Sequence, residues 1–287
     1  MPTAADGDLD AARGLIEGAL DDLLAVGDAA LEAPWTWPEH GELDRRYGFF
    51  RIMEDLDATT AGIDARAAPR PVDQAIVAPA TVARWELVGL LAPLTEADLD
   101  ADPGDGEWTV RQTVAHIIAS QHAYAVYNDW WRKQGIRTSD ERLPFAPDGL
   151  DDPAWDEAIA ADGTLEHIRS RIHLALENAA TLMSDLTSEE LGLGARWSGV
   201  PVTVGFRQGR WASHITEHTV QVDKTLVWLG RQPTEVERLV RLVAAAWGRL
   251  EARVWPRPPN PEALTVAVEA ARRVAATVAS VRAAGPA

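Results

Sequence analysis

His214-Ile-Thr-Glu-His218 is the sharpest chemical signal in the chain. Residues i and i+4 of a helix sit one above the other, so two imidazoles at this spacing can grip one metal ion from the same face. Neutral imidazole suits Zn, Ni, Fe or Cu. Two ligands alone make a weak site, so a third must come from elsewhere, and His116 is the candidate. Its helical face carries Thr113, Ser120, Ala123 and Tyr127. Those small and polar groups suit a pocket better than the apolar row of Val114, Ile118 and Ala125 does. His218 falls among the apolar positions Trp211, Ile215 and Val222 and is expected to point inward. The other four histidines are read as bystanders. His40 is expected to be solvated, His122 to face elsewhere, and His167 and His173 to lie on the surface.

Around this core stand softer candidates. Tyr127 could supply a hydroxyl to the pocket, Gln221 could hydrogen-bond a ligand or a histidine, and Arg196 could face an anionic substrate. Trp108 is expected to staple the start of its helix against the core. His214-x-x-Glu217-His218 also fits the inverted zincin pattern, in which Glu217 would be a general base. Glu217 lies about 100° round the helix from His218, which favours a solvated glutamate. Its remaining reading is a second partner that orients an imidazole.

Composition narrows the chemistry. The 287 residues contain no cysteine, which excludes disulfides, thiolate metal sites, iron–sulfur clusters and a cysteine nucleophile. The formal net charge of −17 repels phosphate backbones and anionic membrane faces, so nucleic acid is not an expected partner. No apolar run is long enough for a transmembrane helix. The opening Met1-Pro-Thr-Ala-Ala-Asp has neither a basic nor an apolar leader region, so a cytoplasmic location is expected.

The elements that must position these residues are helical, and the fold class is all-α. Apolar stripes at spacings of three and four mark helices over 8–32, 41–60, 75–94, 109–131, 164–186, 207–229, 234–254 and 262–283. In the second of these the stripe is Leu43, Tyr47, Phe50 and Leu56. Thr109-x-x-Gln112 is a capping-box signature, and Gly230 is a natural stop. Val200-Pro-Val-Thr-Val204 is the best strand candidate, and Pro201 restricts it to a short edge. The four middle helices can bury their stripes as one bundle. Three segments follow: an N-terminal extension over 1–70, a bundle over 71–230 and a C-terminal extension over 231–287. Ala68-Pro-Arg-Pro71 reads as a linker, and Pro256 to Pro261 as a helix break. The Arg132–Gly163 connection is longer than helix–helix loops usually are and suits a lid or pocket wall.

Two stretches carry a family resemblance. Gly106-Glu-Trp-Thr-Val-Arg-Gln-Thr-Val-Ala-His116 resembles the second-helix motif of the DinB-like superfamily, where a Trp-Ser/Thr pair precedes the first metal-ligating histidine. Trp211-Ala-Ser-His214-Ile-Thr-Glu-His218-Thr-Val-Gln221 resembles its fourth-helix motif. The resemblance covers roughly 75–230. It implies a DinB-like four-helix bundle with additional N- and C-terminal helices. It also implies one divalent metal ion (Zn, Ni or Fe) on His116, His214 and His218, with open coordination positions. The superfamily includes thiol-dependent S-transferases and mycothiol-dependent maleylpyruvate isomerases. Since the chain lacks cysteine, the thiol would be a low-molecular-weight cosubstrate acting with a small-molecule substrate. Two other readings stay open: metal-dependent small-molecule binding or stress response without turnover, and a helical interaction protein with structural histidines. The terminal helices offer further apolar faces that suit a homodimer.

Overall fold

A computed structural model describes residues 4–37, 40–66, 71–137, 143–254 and 261–284. The linker residues 68–70 and the proline-rich residues 256–260 lie outside them. In chain order the elements are α1 (Ala4–Leu24), β1 (Pro34–Trp37), β2 (Gly41–Asp44), α2 (Arg45–Asp64), α3 (Val72–Leu91) and α4 (Glu96–Asp100). Then come α5 (Val110–Gln134), α6 (Leu165–Leu182), β3 (Gly194–Trp197), β4 (Val200–Thr203), α7 (Val204–Trp228), α8 (Glu235–Val254) and α9 (Pro261–Ala283). The fold is all-α with two short antiparallel hairpins. No helix among the described residues is long and apolar enough to cross a membrane.

Two compact units divide the chain. One comprises residues 1–68, 85–93 and 232–287. In it α1 and α2 each pack against both α8 and α9. The expected stripe of α1 is buried throughout, at Leu9, Ala12, Ile16, Ala19 and Leu23. The expected stripe of α2 is not. Tyr47 and Phe50 are exposed, and the buried face is Phe49, Ile52, Leu56 and Ile63. Gly48 explains the rotation: a Cβ there would collide with Val281 of α9. Close helix approach selects the smallest residue on the face, while the aromatic pair that dominated the pattern stays outside, edge to face at 6.3 Å.

The other unit comprises residues 69–84 and 94–231. Here α5 packs against both α6 and α7. The predicted capping box starts α5: Gln112 N donates to Thr109 Oγ1 at 3.2 Å, and Thr109 N donates to Gln112 Oε1 at 2.9 Å. Helix α7 starts from the β3–β4 hairpin. The turn residues Ser198 and Gly199 have φ of 48° and 80°, the left-handed pair that a tight hairpin requires. Thr203 then caps α7 by accepting from Phe206 N at 3.0 Å. At the far end Gly230 N bonds Val227 O and Arg231 N bonds Leu226 O, a Schellman closure around a left-handed glycine. The strand expected at Val200 is therefore real. Its partner, Gly194–Trp197, carries too little β-branched character to be read from sequence.

Candidate metal centre

Helix α5 brings His116 and helix α7 brings His214 and His218 to one place. One ligand nitrogen from each lies within 4.8 Å of the other two. No other such group of histidine and acidic side chains occurs among the described residues. The ring centroids are 5.1 Å (His116–His214), 4.7 Å (His116–His218) and 4.3 Å (His214–His218) apart. His214 is buried, and His116 and His218 are half-buried. The apolar stripe pointed to His218 as the inward residue, but His214 lies deeper.

Hydrogen bonds select which ring nitrogen faces the centre. His116 Nδ1 lies 2.9 Å from Glu157 Oε2, and His218 Nδ1 lies 2.7 Å from Gln221 Oε1. Both partners accept, so each Nδ1 donates its proton and each Nε2 keeps a lone pair. His218 Nε2 and His214 Nε2 are 3.1 Å apart. Two nitrogens each about 2.1 Å from one ion would be separated by about 3.0 Å at a right angle and about 3.4 Å at the tetrahedral angle. The His214–His218 spacing, the tautomers of His116 and His218 and the all-imidazole chemistry therefore fit a divalent metal.

Burial completes the arrangement. Loss of solvent pushes the His214 pKa down to about 3, with His218, His116 and Arg210 adding repulsion. Burial also lowers that of His218. Both therefore stay in the neutral form that binds metal. The unfolded chain protonates His214 near pH 6.5, so it takes up a proton that the folded state refuses down to about pH 3. Stability therefore falls as the pH drops through that window. The metal-free protein should lose stability between pH 7 and pH 5 more steeply than a His214→Leu variant, measured by urea denaturation. Equal losses in the two proteins would show that His214 does not carry this dependence.

Glu157 is the residue that sequence reasoning missed. It stands 41 positions from His116, in the long connection before α6, where no periodicity marks it. The signal was the length of that connection. Its placement is built by Trp155, which is buried with its ring parallel to that of His122 at 5.1 Å and the Arg171 guanidinium 4.8 Å from its centre. His122 is therefore a buried packing residue, and His173 is buried too, not on the surface. His40 is exposed, as expected. Glu157 also lines a cavity of about 370 Å³ with Arg111, Gln112, Ala115 and Asp162.

The other candidates separate. Gln221 joins the site through His218. Tyr127 packs near Trp131, with ring centroids 6.1 Å apart, and it is Tyr124 whose ring meets His214 edge-on at 5.5 Å. Arg196 donates to the carbonyls of Leu143 and Gly199. Trp108 does not staple a core: it is 36% exposed, with its ring 5.2 Å from that of His116 and stacked over that of His218. Glu217 is exposed and accepts from Arg210 at 2.9 Å, so it orients no imidazole.

A family model described as the DinB superfamily matches residues 80–222. Over that span the chain belongs to the DinB superfamily. The DinB match contains α5 and the part of α7 that carries both its histidines, together with Glu157 and Gln221. No match was found among curated proteins or among solved structures. Within this DinB bundle Glu157 and Gln221 should act by holding the ligands. Outer partners of this kind are typically worth ~10–100-fold in metal affinity. Glu157→Ala and Gln221→Ala should each weaken zinc by about that factor while one ion per chain still binds at saturation. Competition with a chromophoric chelator checks this, and unchanged affinity in both would remove their assigned role.

Proposed function

We propose that this protein is a metal-dependent transferase or isomerase that works with a low-molecular-weight thiol. The observation that carries the reading is the all-imidazole donor set, which no carboxylate or thiolate completes among the described residues. Three protein ligands leave positions for a small molecule, whereas a closed structural site would use four. A divalent ion held there supplies a deprotonated thiol at neutral pH. The protein's own residues do the rest. Glu157 and Gln221 hold the Nδ1 protons, so the Nε2 lone pairs point at one spot. Trp108 shields two of the imidazoles from water. With no cysteine in the chain, the thiol must be a diffusible cosubstrate and its acceptor a small electrophile.

The test is turnover. Zinc-, nickel- or iron-loaded protein is given cysteine or N-acetylcysteine with monochlorobimane, and thioether formation is followed by fluorescence. A metal-dependent rate above the uncatalysed one, lost in His218→Ala, is the expected result. Thiol binding without any turnover across a panel of electrophiles would favour the second reading, a metal-dependent binding protein.

A further inference from the structure

Arg207 departs from the way this chain uses its arginines. Many of the others meet carboxylates, as Arg111 does with Asp100 and Glu96, and Arg132 with Asp185 and Glu190, while Arg171 and Arg196 donate to backbone carbonyls nearer the surface. Arg207 is only 7% exposed, in a protein with 44 acidic residues, yet meets no carboxylate among the described residues. Its Nε donates to Asn128 Oδ1 at 2.7 Å, and one Nη donates to the Arg196 carbonyl at 2.7 Å. Its guanidinium lies 5.1 Å from the ring centre of Tyr124 and 4.8 Å from that of Trp131. Burial lowers its pKa to about 10, so it is still a cation at neutral pH. An unpaired buried charge is costly. This one also sits in the first turn of α7, where the helix dipole disfavours a cation.

An atom beside it lacks a partner. Asn128 is fully buried, and because its Oδ1 receives Arg207, its Nδ2 is fixed as a donor. That Nδ2 has no acceptor. Both side chains thus offer N–H groups that acceptor oxygens would satisfy, and a carboxylate provides two.

The metal centre is close. Arg207 and His214 are seven residues apart, so they share a face of α7 about 10.5 Å apart along its axis. The Tyr124 ring bridges them, 5.1 Å from the Arg207 guanidinium carbon and 5.5 Å from the His214 ring. Those two distances laid end to end are the greatest separation the pair can have. An extended chain of about six carbons with its two end groups is therefore the longest that the gap accommodates.

We propose that Arg207, with Asn128, anchors the carboxylate of a small molecule whose other end reaches the three-histidine centre. The ligand class is a carboxylic acid whose reactive group lies no more than about six carbons from the carboxylate. The proposal rests on the thiol reading only for which end meets the metal.

The probe is a matched pair, 6-mercaptohexanoate and 6-mercaptohexan-1-ol, titrated into cobalt-loaded protein. The thiolate-to-cobalt charge-transfer band reports binding. A charge-assisted bond to a buried partner is worth tenfold or more, so the acid should bind at least about tenfold tighter than the alcohol. Arg207→Gln should bring that ratio to about one. Asn128→Asp guards against misfolding, since it keeps the acceptor for Arg207 and adds an internal carboxylate. It should raise the melting temperature and abolish the preference. A ratio near one in the wild type, or a preference that survives both substitutions, overturns the proposal. If neither thiol gives the band although cobalt is bound, the thiol reading fails alone. Calorimetry with hexanoate and hexan-1-ol then decides: Arg207-dependent binding of hexanoate supports the anchor, and its absence overturns it.

Discussion

His214→Ala is expected to leave the protein folded and strip it of metal. Losing an outer partner of a ligand already lowers affinity by ~10–100-fold, so losing the ligand itself should cost more than about 100-fold. The same holds for His116→Ala and His218→Ala, but His214 is the sharpest case. It is the buried member of the set and its Nδ1 has no partner, so without a metal the side chain is a liability to the fold. Removing it should change the metal-free melting temperature little. In the wild type, a metal present at about a thousand times its dissociation constant adds roughly 4 kcal/mol. Zinc should therefore raise the wild-type melting temperature by several degrees and that of the variant not at all. Elemental mass spectrometry of untagged protein gives the companion number, about one ion per chain against none. Full metal content in His214→Ala, or no zinc response in the wild type, would sink the site.

The second large effect lies in the other unit, at Glu251. Its side chain is fully buried and takes four N–H groups. Arg13 donates through Nε and Nη2 to Oε1 at 3.1 and 2.7 Å, while Trp85 and Trp247 donate to Oε2 at 2.6 and 3.1 Å. Trp85 and Trp247 meet edge to face, 6.2 Å apart at 85°. Glutamine has the same shape but one acceptor oxygen, so its amide must point N–H groups at donors on one side. It also leaves the buried Arg13 guanidinium without its buried counter-charge, keeping only the exposed Asp10 at 3.1 Å. Removing one partner of a buried ion pair typically costs ~3–5 kcal/mol. Glu251→Gln should lose that much in urea denaturation of the metal-free protein, while its metal content stays at the wild-type value. A loss below about 0.5 kcal/mol, the size of an ordinary surface substitution, would show that the cluster does not hold this unit together.

The helices were legible in the chain, because the 3.6-residue period is written locally in the spacing of apolar side chains. The sequence also picked out the three histidines that the fold brings together, since His214 and His218 are one turn apart whatever surrounds them, and His116 follows a capping box that starts α5 in a fixed phase. It excluded any thiolate from the chain itself, since there is no cysteine to supply it. Tertiary structure alone decided which face of α2 is buried, because Gly48 counts through the helix that approaches it and not through its own hydrophobicity. It alone brought Glu157 to His116 and Arg13 to Glu251, the latter across 238 positions. Such pairs follow no local period: each side chain is individually unremarkable, and only the packing of distant helices puts a donor beside an acceptor. The same holds for Arg207, whose lack of a carboxylate is a property of its surroundings.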